Sequence, residues 1–396
     1  MYAQGIENQQ KTSEYFMQFC QKPSQAMYKK TVIKKAGIQK TVCALVLIPC
    51  MAYAATGTNT NSGKGIHFSH QDWEVVCDNT RTCRAAGYQA DDGDSFPVSV
   101  LFTRKAGAGQ NIDGQLKLGT TDYVEGQPTP QAVQLFINNT SYSKVLLNGE
   151  GLDGHLSSVQ TQALVAALAG HTVIQFKSGQ DTWSLSGQGA AAVLLKMDDV
   201  QGRVGTTSAV LRKGKKTEAS VLPALPMSVV NWIKPVESPA LKRLAKSVDL
   251  LQLKKEMLAH TPKTDDNYCP VINGEDDSAK FELDIQPLTS HKLLASGLCW
   301  RGAYNEGYGY WVINAQKPYQ PKLVTTGASD YADGMISAAQ KGRGLGDCWS
   351  HEAWTWNGQQ FIQTDDSTTG MCRMVELGGA WDLPTRVAIV KKASIK

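Results

Sequence analysis

The cysteines constrain this fold more than any other feature of the sequence. Nine are present, and six follow residue 54: Cys77, Cys83, Cys269, Cys299, Cys348 and Cys372. Six cysteines allow many pairings, and loop length and domain separation favour neighbours in sequence. The favoured pairs are Cys77–Cys83, Cys269–Cys299 and Cys348–Cys372. A zinc site is the weaker interpretation, because no C-x-x-C pair and no clustered histidine accompanies them. We expect no metal and no cofactor.

An apolar segment at residues 41–54 predicts that these cysteines reach an oxidising compartment. It follows a lysine-rich stretch and ends with Ala52 and Ala54, the small residues that signal peptidase requires. The segment is about 14 residues long, whereas a bilayer span needs roughly 20. We therefore predict a cleaved signal peptide, a cut between Ala54 and Ala55, a periplasmic protein, and no integral membrane span after cleavage.

The signal region, residues 1–54, is unusually long if translation begins at Met1. Residues 1–26 carry neither a core pattern nor a block of charge, whereas Met27 begins a compact signal. We therefore predict Met27 as the true start. Cys50 would suggest lipid attachment, but Pro49 stands where a small residue is needed, so lipidation is the weaker alternative.

The charge balance belongs largely to that signal region. Residues 1–54 hold seven of the 40 basic residues and two of the 36 acidic ones, which leaves 33 and 34. A nearly neutral chain without a recognition motif does not indicate a nucleic-acid partner. The remaining length is sufficient for two domains, each with its own core.

The first domain is predicted at residues 67–225, after a polar and disordered lead at 55–66. Alternating residues around Trp73–Cys77 and Cys83–Tyr88 predict a hairpin that the Cys77–Cys83 bridge closes at its tip. Further strands are expected at Val98–Thr103, Val133–Ile137 and Thr172–Phe176. Two helices are expected, one from a capping Ser158 to Leu168 and one over Gly189–Val200.

A linker helix region is predicted at residues 226–264. Ser238 before Pro239 is a favourable helix opening. One apolar stripe follows, formed by Leu241, Leu244, Val248, Leu251 and Leu258. The spacing favours a helix packed on a domain, and a basic membrane-surface helix is the alternative.

The second domain, residues 265–396, is predicted to be rich in β-strands and aromatic residues. Asn357-Gly358 lies between strand-like residues and predicts a hairpin with a type I′ turn. Cys299–Ala303 and Tyr308–Asn314 predict a second strand pair, with Gly307 and Gly309 in the bend. The fold class expected is α+β, mostly β: two antiparallel-sheet domains, the first with two helices, joined by a linker helix and stapled by disulfides.

The common catalytic signatures are absent from the sequence, including H-E-x-x-H, G-x-S-x-G and the phosphate-binding loops. The acidic turns at residues 90–94 and 273–277 lack the spacing of a calcium loop. His351-Glu352 would supply half of an acid–base pair, but no positioned nucleophile accompanies it. We predict no catalytic residue.

The run from Lys341 to Trp349 is the most distinctive polar segment. Its three glycines permit tight turns, and Arg343 and Asp347 are expected to form either an internal ion pair or part of a ligand-binding loop. Nearby aromatic residues build either a small β core or a ligand platform. The ligand-binding candidates are Trp300, Arg301, Tyr304, Trp311, Arg343, Asp347, Trp349 and Trp356.

Five strings carry a resemblance to a known family: W-E-V-V-C-D-N, C-R-A-A-G-Y, G-L-C-W-R-G-A-Y-N, K-G-R-G-L-G-D-C-W and G-G-A-W-D-L-P. They resemble a proteobacterial envelope family catalogued as domain of unknown function 1176, over most of the chain after the signal. The W-x-V-x-C opening and S-L-S-G-Q-G-A-A-A also loosely resemble the invasion-associated locus B proteins. The resemblance implies a secreted or periplasmic protein and supplies no activity.

The function expected is that of a periplasmic binding or interaction protein. The partner is either a cell-wall glycan or another envelope protein. The alternatives are a hydrolase with a motif-free site around Arg343, Asp347, His351 and Glu352, and a purely structural envelope component.

Overall fold

Short β-strands dominate the described residues, and in strands such as Ala132–Ile137 buried and half-buried side chains alternate. The computed structural model describes residues 63–93, 95–119, 129–148, 152–261, 267–275 and 280–393. The signal region, the predicted cut and residues 55–62 of the lead lie outside the described residues. Residues 63–65 of the lead have no regular structure, and the first strand begins at Ile66.

The first sheet has six antiparallel strands. In spatial order they are β1 (Ile66–His70), β2 (Trp73–Cys77), β3 (Cys83–Tyr88), β4 (Val98–Arg104), β5 (Ile112–Leu118) and β8 (Asp153–Leu156). The predicted hairpin is confirmed, since Cys77 pairs with Cys83 across β2 and β3. All five residues of β2 are buried, so this strand is covered on both faces.

The second sheet has four antiparallel strands, in the order β10 (Asp181–Leu185), β9 (Ile174–Ser178), β6 (Ala132–Ile137) and β7 (Thr140–Leu146). Both helices predicted in this half are present, as α1 (Ser158–Ala167) and α2 (Ala190–Val200). The cap of α1 is Ser157 rather than Ser158. Ser157 forms a reciprocal capping box with Gln160, which satisfies two backbone N–H groups at once.

The linker is helical as expected, but in two pieces. The two helices are α3 (Pro239–Lys246) and α4 (Leu250–His260), and a short 3₁₀ helix (Glu218–Ser220) lies before the linker. Ser238 caps α3 as predicted, and Asp249 caps α4 by accepting the Gln252 N–H. The single apolar stripe is therefore wrong, because the break at Asp249 turns Leu251 outward, where it is 83% exposed.

The third and fourth sheets form most of the second half. The third has the order β12 (Asp284–Pro287), β13 (Lys292–Arg301), β14 (Glu306–Asn314) and β15 (Lys322–Ala328) and follows a short helix, α5 (Pro270–Asn273). The fourth has the order β11 (Ser228–Trp232), β20 (Leu383–Lys392), β19 (Phe361–Thr368), β18 (Trp349–Trp356), β17 (Met335–Lys341) and β16 (Asp330–Ala332). The pair β11–β20 is parallel, and all other pairs are antiparallel.

The Asn357-Gly358 hairpin is present, but its turn differs from the prediction. Four residues join β18 to β19, and the Asn357 side chain accepts the N–H groups of Gln359 and Gln360. Only Gly358 has a positive φ, of 93°, whereas a type I′ turn needs two such residues. Gly307 and Gly309 lie within β14 rather than in a bend. Glycine is required there because the rings of Trp300 and Trp311 occupy the space where a Cβ would stand.

All three predicted disulfides are confirmed by their geometry. The fold class is confirmed as mostly β, with four sheets, five α-helices and three cysteine bridges among the described residues. The division into a first and a second domain stays a prediction. No described helix is both long enough and apolar enough to cross a bilayer.

A long loop, residues 369–382, connects β19 to β20 and packs on the first sheet. Its Met371 N–H donates to the Glu74 carboxylate, and Arg373 pairs with Asp72 at 2.9 Å. Apolar residues of this loop share a core with Val76 and Leu101 of the first sheet. The loop therefore covers the second face of β2 and β3 and connects the fourth sheet to the first.

Candidate functional site

The loop between β17 and β18, residues 342–348, is organised by an ion pair. Arg343 Nε and Nη2 donate to the two carboxylate oxygens of Asp347 at 2.7 and 2.5 Å. Asp347 also accepts the Met374 N–H at 2.7 Å. Burial opposes ionisation of Asp347, but these donors outweigh it and lower its pKa. Of the two interpretations of this pair, the internal ion pair is the observed one.

The Cys348–Cys372 bridge ties this loop to the 369–382 loop. Among the described residues, one group of three side chains of the kinds that bind metals lies close together: Asp347, Cys348 and Cys372. The two sulfurs are bonded to each other, and Arg343 holds the Asp347 carboxylate. This grouping is therefore built as a structural junction rather than as a set of metal ligands.

Trp349 stands directly after this junction on β18, where it is half-buried and lines an open recess. Lys341, its cross-strand partner on β17, places Nζ 5.4 Å from the indole ring centroid. His351 lies two residues further on the same face, with its ring within 8° of parallel to the indole and a centroid separation of 6.2 Å. The Trp349 indole N–H donates to the Gly346 carbonyl at 2.9 Å, which fixes the orientation of the ring.

Polar side chains of β19 continue this face. Asp365 pairs with Ala353 and Ser367 pairs with His351, so both belong to the same side of the sheet as Trp349. Ser367 donates to Asp365 at 3.0 Å. Burial raises the pKa of Asp365, and nearby carboxylates add to the rise. We call Lys341, Trp349, His351, Asp365 and Ser367 the Trp349 face.

An open recess of about 420 Å³ adjoins the Trp349 face. Its apolar rim is formed by Leu345 and Leu377, which are 61% and 73% exposed. Gly346 and Gly378 line it without side chains, and the two residues are joined by a backbone hydrogen bond of 2.8 Å. The arrangement offers an aromatic surface, a cation and an apolar edge that a ligand can contact together.

A larger recess of about 500 Å³ lies elsewhere, between α3 and β12. Most charges at its rim already have partners: Lys242 pairs with Glu237 at 2.8 Å and Asp333 with Lys234 at 3.4 Å. The Trp349 face combines aromatic, cationic and carboxylate groups beside open space, and it is therefore the stronger candidate.

The structure brings four of the predicted binding residues to this region. Arg343, Asp347 and Trp349 belong to the same loop and strand, and the Tyr304 hydroxyl donates to the Gly342 carbonyl at 3.4 Å. Trp300 and Arg301 lie on β13, next to the loop that carries Tyr304. The Trp300 ring covers Gly307, and Arg301 pairs with Glu306 at 3.1 Å. Their role as ligand contacts stays a prediction.

Two predicted binding residues are core residues instead. Trp311 is fully buried and packs under α4 with Leu253 and Met257. Trp356 is fully buried between the third and fourth sheets. Both point to the covered side of their sheet, so a ligand at the surface of this structure cannot touch them.

The adjacent pair His351 and Glu352 is divided by the strand. Consecutive residues of β18 point to opposite faces, so Glu352 shares its face with Trp354 and not with His351. Burial raises the pKa of Glu352, and its cross-strand neighbour Asp366 adds to the rise. The acid–base pair considered from the sequence is therefore not assembled.

Sequence reasoning missed Asp365, Ser367 and Leu377. Asp365 and Ser367 belong to a polar strand whose register with β18 depends on a bulge at Ala353–Trp354, and no local pattern announces a bulge. Leu377 reaches the recess through the Cys348–Cys372 bridge. The predicted bridge was the available signal, because it implied that residues near Cys372 approach the 341–349 run.

A family model described as protein of unknown function (DUF1176) matches residues 67–388. This chain belongs to the DUF1176 family. A curated relative, "Uncharacterized protein YpfG" of Escherichia coli (strain K12), is 26% identical over 320 residues, which cover 73% of this chain and 84% of that protein. The resemblance drawn from the sequence strings is thereby confirmed at the level of the family.

Among solved structures, this DUF1176 protein matches invasion associated protein B from Bartonella henselae. The match has 14% sequence identity and covers 34% of this chain and 98% of that one. Its TM-score is 0.23, a value that supports no conclusion about this chain.

Proposed function

We propose that this protein is a periplasmic binding protein that takes a cell-wall glycan on the Trp349 face. One observation carries the proposal: Lys341, Trp349 and His351 stand side by side on one face of two paired strands and line an open recess. No catalytic step is part of this proposal.

The chemistry of the face suits a saccharide that carries carboxylates. A flat aromatic ring packs against the C–H groups of a sugar, and the hydroxyls of a sugar find partners in Asp365 and His351. Lys341 complements the carboxylates of wall peptides. Because Trp349 and Asp347 are fixed by hydrogen bonds within the protein, little ordering is needed on binding.

The compartment forms part of the proposal. Three disulfides are typical of an oxidising environment, and the apolar segment at residues 41–54 has the pattern of a secretory signal. Sequencing the N-terminus of the protein as cells produce it tests this part. A mature chain that begins at Ala55 supports it, and a chain that retains residues 27–54 contradicts it.

Co-sedimentation with purified peptidoglycan sacculi tests the binding site. Wild-type protein is expected to pellet saturably, and Trp349→Ala is expected to weaken pelleting by about tenfold or more, since an aromatic anchor typically contributes ~2 kcal/mol. Trp232→Ala is the matched control. Trp232 lies on the same sheet, donates its indole N–H to a carbonyl and has Lys392 5.8 Å from its ring centroid.

The outcomes separate cleanly when near-ultraviolet circular dichroism shows that each variant is folded. Loss of pelleting in Trp349→Ala alone supports the proposal. Equal loss in both variants places binding outside the Trp349 face, and no pelleting of the wild type removes the glycan.

A second candidate is an envelope protein as the partner. The exposed Leu345 and Leu377 favour it, because apolar residues around a tryptophan are typical of protein contact sites. The double variant Leu345→Ser, Leu377→Ser distinguishes the two candidates. Glycan binding is expected to survive it largely, whereas cross-linking to a protein partner is expected to disappear.

A further inference from the structure

A cluster of cations lies between α2 and β11, far along the chain from the Trp349 face. Arg212, Lys213, Lys215 and Lys216 occupy four of five consecutive positions, and all four are exposed. Among the described residues, no carboxylate lies within ion-pair distance of any of them. After residue 54 the chain is nearly neutral. Residues 212–216, which we call the basic loop, are therefore a local excess of positive charge that acidic residues elsewhere in the chain balance.

The basic loop is held in place by backbone hydrogen bonds. Gly205 donates to the Arg212 carbonyl at 2.8 Å, Gly214 to that of Thr206 at 3.0 Å, and Lys216 to that of Gly205 at 2.9 Å. The one carboxylate nearby in sequence, Glu218, is engaged by the N–H of Ser208 and the hydroxyl of Thr207. The charges are therefore presented on a fixed backbone.

A strip of exposed apolar side chains follows directly. Leu222, Leu225, Met227 and Val229 are between 38% and 51% exposed. Their backbone is anchored, because Leu222 donates to the Gln201 carbonyl at 3.0 Å and Leu225 to that of Thr80 at 3.1 Å. Ile389, which is 42% exposed, lies beside Val229 in the β11–β20 pair and widens the strip.

The basic loop and the apolar strip meet at one short segment, residues 201–206. The loop is pinned to Gly205 and Thr206, and the Leu222 side chain lies against Gly202. The cations and Leu222, the first side chain of the strip, are thus held at one short segment. An anionic bilayer offers the complementary pair, namely negative headgroups and an apolar boundary just beneath them.

We propose that the basic loop and the apolar strip form a contact site for the surface of an anionic phospholipid membrane. The cations attract the headgroups, and Leu225, Met227 and Val229 enter the interface. The contact is peripheral and reversible, and it weakens as salt screens the charges. It does not involve the Trp349 face, so glycan binding and membrane binding are independent properties.

Vesicle flotation with the protein as cells produce it tests this site. The protein is expected to bind vesicles that contain phosphatidylglycerol and to bind pure phosphatidylcholine vesicles much more weakly. Binding is expected to fall as the sodium chloride concentration is raised. Changing Arg212, Lys213, Lys215 and Lys216 together to Gln is expected to weaken binding by about tenfold or more.

A matched control removes the same charges from another exposed surface. Changing Lys242, Arg243, Lys246 and Lys255 to Gln also takes away one arginine and three lysines, all exposed, from α3 and α4. Binding that survives the control and is lost in the loop variant supports the proposal. Equal loss in both would show attraction by net charge alone, and unchanged binding in the loop variant would also overturn the proposal.

The apolar strip has its own test. Leu225→Ser with Met227→Ser is expected to weaken vesicle binding at high salt, where the charges are screened, whereas Leu345→Ser with Leu377→Ser leaves it unchanged. Sacculus binding is measured on all variants. Loss of vesicle binding with intact sacculus binding separates this inference from the proposed function, and no binding to either vesicle type refutes it.

Discussion

The two ends of β18 place the same residue type in opposite situations. At one end Trp349 is half-buried, beside Lys341 and His351, and borders open space. At the other end Trp354 and Trp356 are enclosed between the third and fourth sheets. The third sheet covers only one face of β18, so the side to which a tryptophan points decides its role. Two tryptophans of the same strand can therefore have different roles: one stabilises the core, and the other remains available for binding.

The largest difference is expected between Trp356→Ala and Trp349→Ala. Removing a fully buried tryptophan leaves a cavity and typically costs ~3–5 kcal/mol. Trp349 borders solvent, and its removal is expected to cost less than half of that. Urea unfolding followed by circular dichroism measures both. Equal losses would show that Trp349 is also a core residue.

A conservative variant sharpens the same test. The Trp356 indole N–H has no hydrogen-bond partner among the described residues, so Trp356→Phe removes no hydrogen bond and leaves a smaller cavity. We expect it to retain more than half of the stability that Trp356→Ala loses.

The Cys348–Cys372 bridge should matter both for stability and for the recess. Changing both residues to Ser is expected to cost ~2–4 kcal/mol and also to weaken sacculus binding, because the bridge anchors the loop whose Gly346 carbonyl holds the Trp349 ring. The control is Cys269→Ser with Cys299→Ser, whose bridge lies in the core beneath α4. A comparable loss of stability without loss of binding is expected there. If both pairs affect binding equally, the effect is one of global stability.

Asp347→Asn is expected to cost ~1–3 kcal/mol at neutral pH, because it weakens the bonds from Arg343 and the Met374 N–H. The folded pKa of Asp347 lies below its ordinary value, so its contribution is present above about pH 4 and fades as the pH falls through the folded pKa. Thermal melts from pH 3 to 7 measure the change. Asp199→Asn, at an exposed pair with Lys196, is expected to cost about 0.5 kcal/mol or less.

Glu352→Gln is expected to have the smallest effect and the opposite sign. The folded pKa of Glu352 is raised by burial and by Asp366, so the unfolded carboxyl ionises first as the pH rises. The native state therefore loses stability above about pH 4 until the folded pKa is passed. The variant is expected to be more stable than wild type at pH 7 by roughly 1 kcal/mol or less, and equal to it near pH 3. Lower stability at pH 7 would contradict this.

Local signals in the sequence predicted much of the fold. Three features were predictable: the turn between Cys77 and Cys83, the helix start at Ser238-Pro239 and the hairpin at Asn357-Gly358. Each depends on chemistry within a few residues. The break at Asp249 was missed, because the periodic leucines of residues 241–258 fit one helix as well as two. An aspartate can cap a helix or sit on its surface, and only packing decides between them.

The candidate site was less predictable for a related reason. Arg343, Asp347 and Trp349 are close in sequence and were recognised together. The burial of Trp311 and Trp356 is not predictable from the sequence, because exposure depends on which layer covers a strand, and that is a property of the assembled structure. The facing of His351 and Glu352 follows from strand alternation alone, so assigning residues 349–356 to one strand would have separated them in advance.

The loop at residues 369–382 has a consequence for how the chain matures. It supplies Met371 and Arg373 to Glu74 and Asp72, which lie 297 and 301 positions earlier. As the chain is synthesised from its N-terminus, the residues of the first sheet are made before the loop that covers Val76 and Leu101. The apolar face of that sheet is therefore open to chaperones or to other chains until the final segment arrives. A polypeptide interrupted anywhere before residue 369 keeps that face uncovered, which gives quality control a direct way to recognise an incomplete copy.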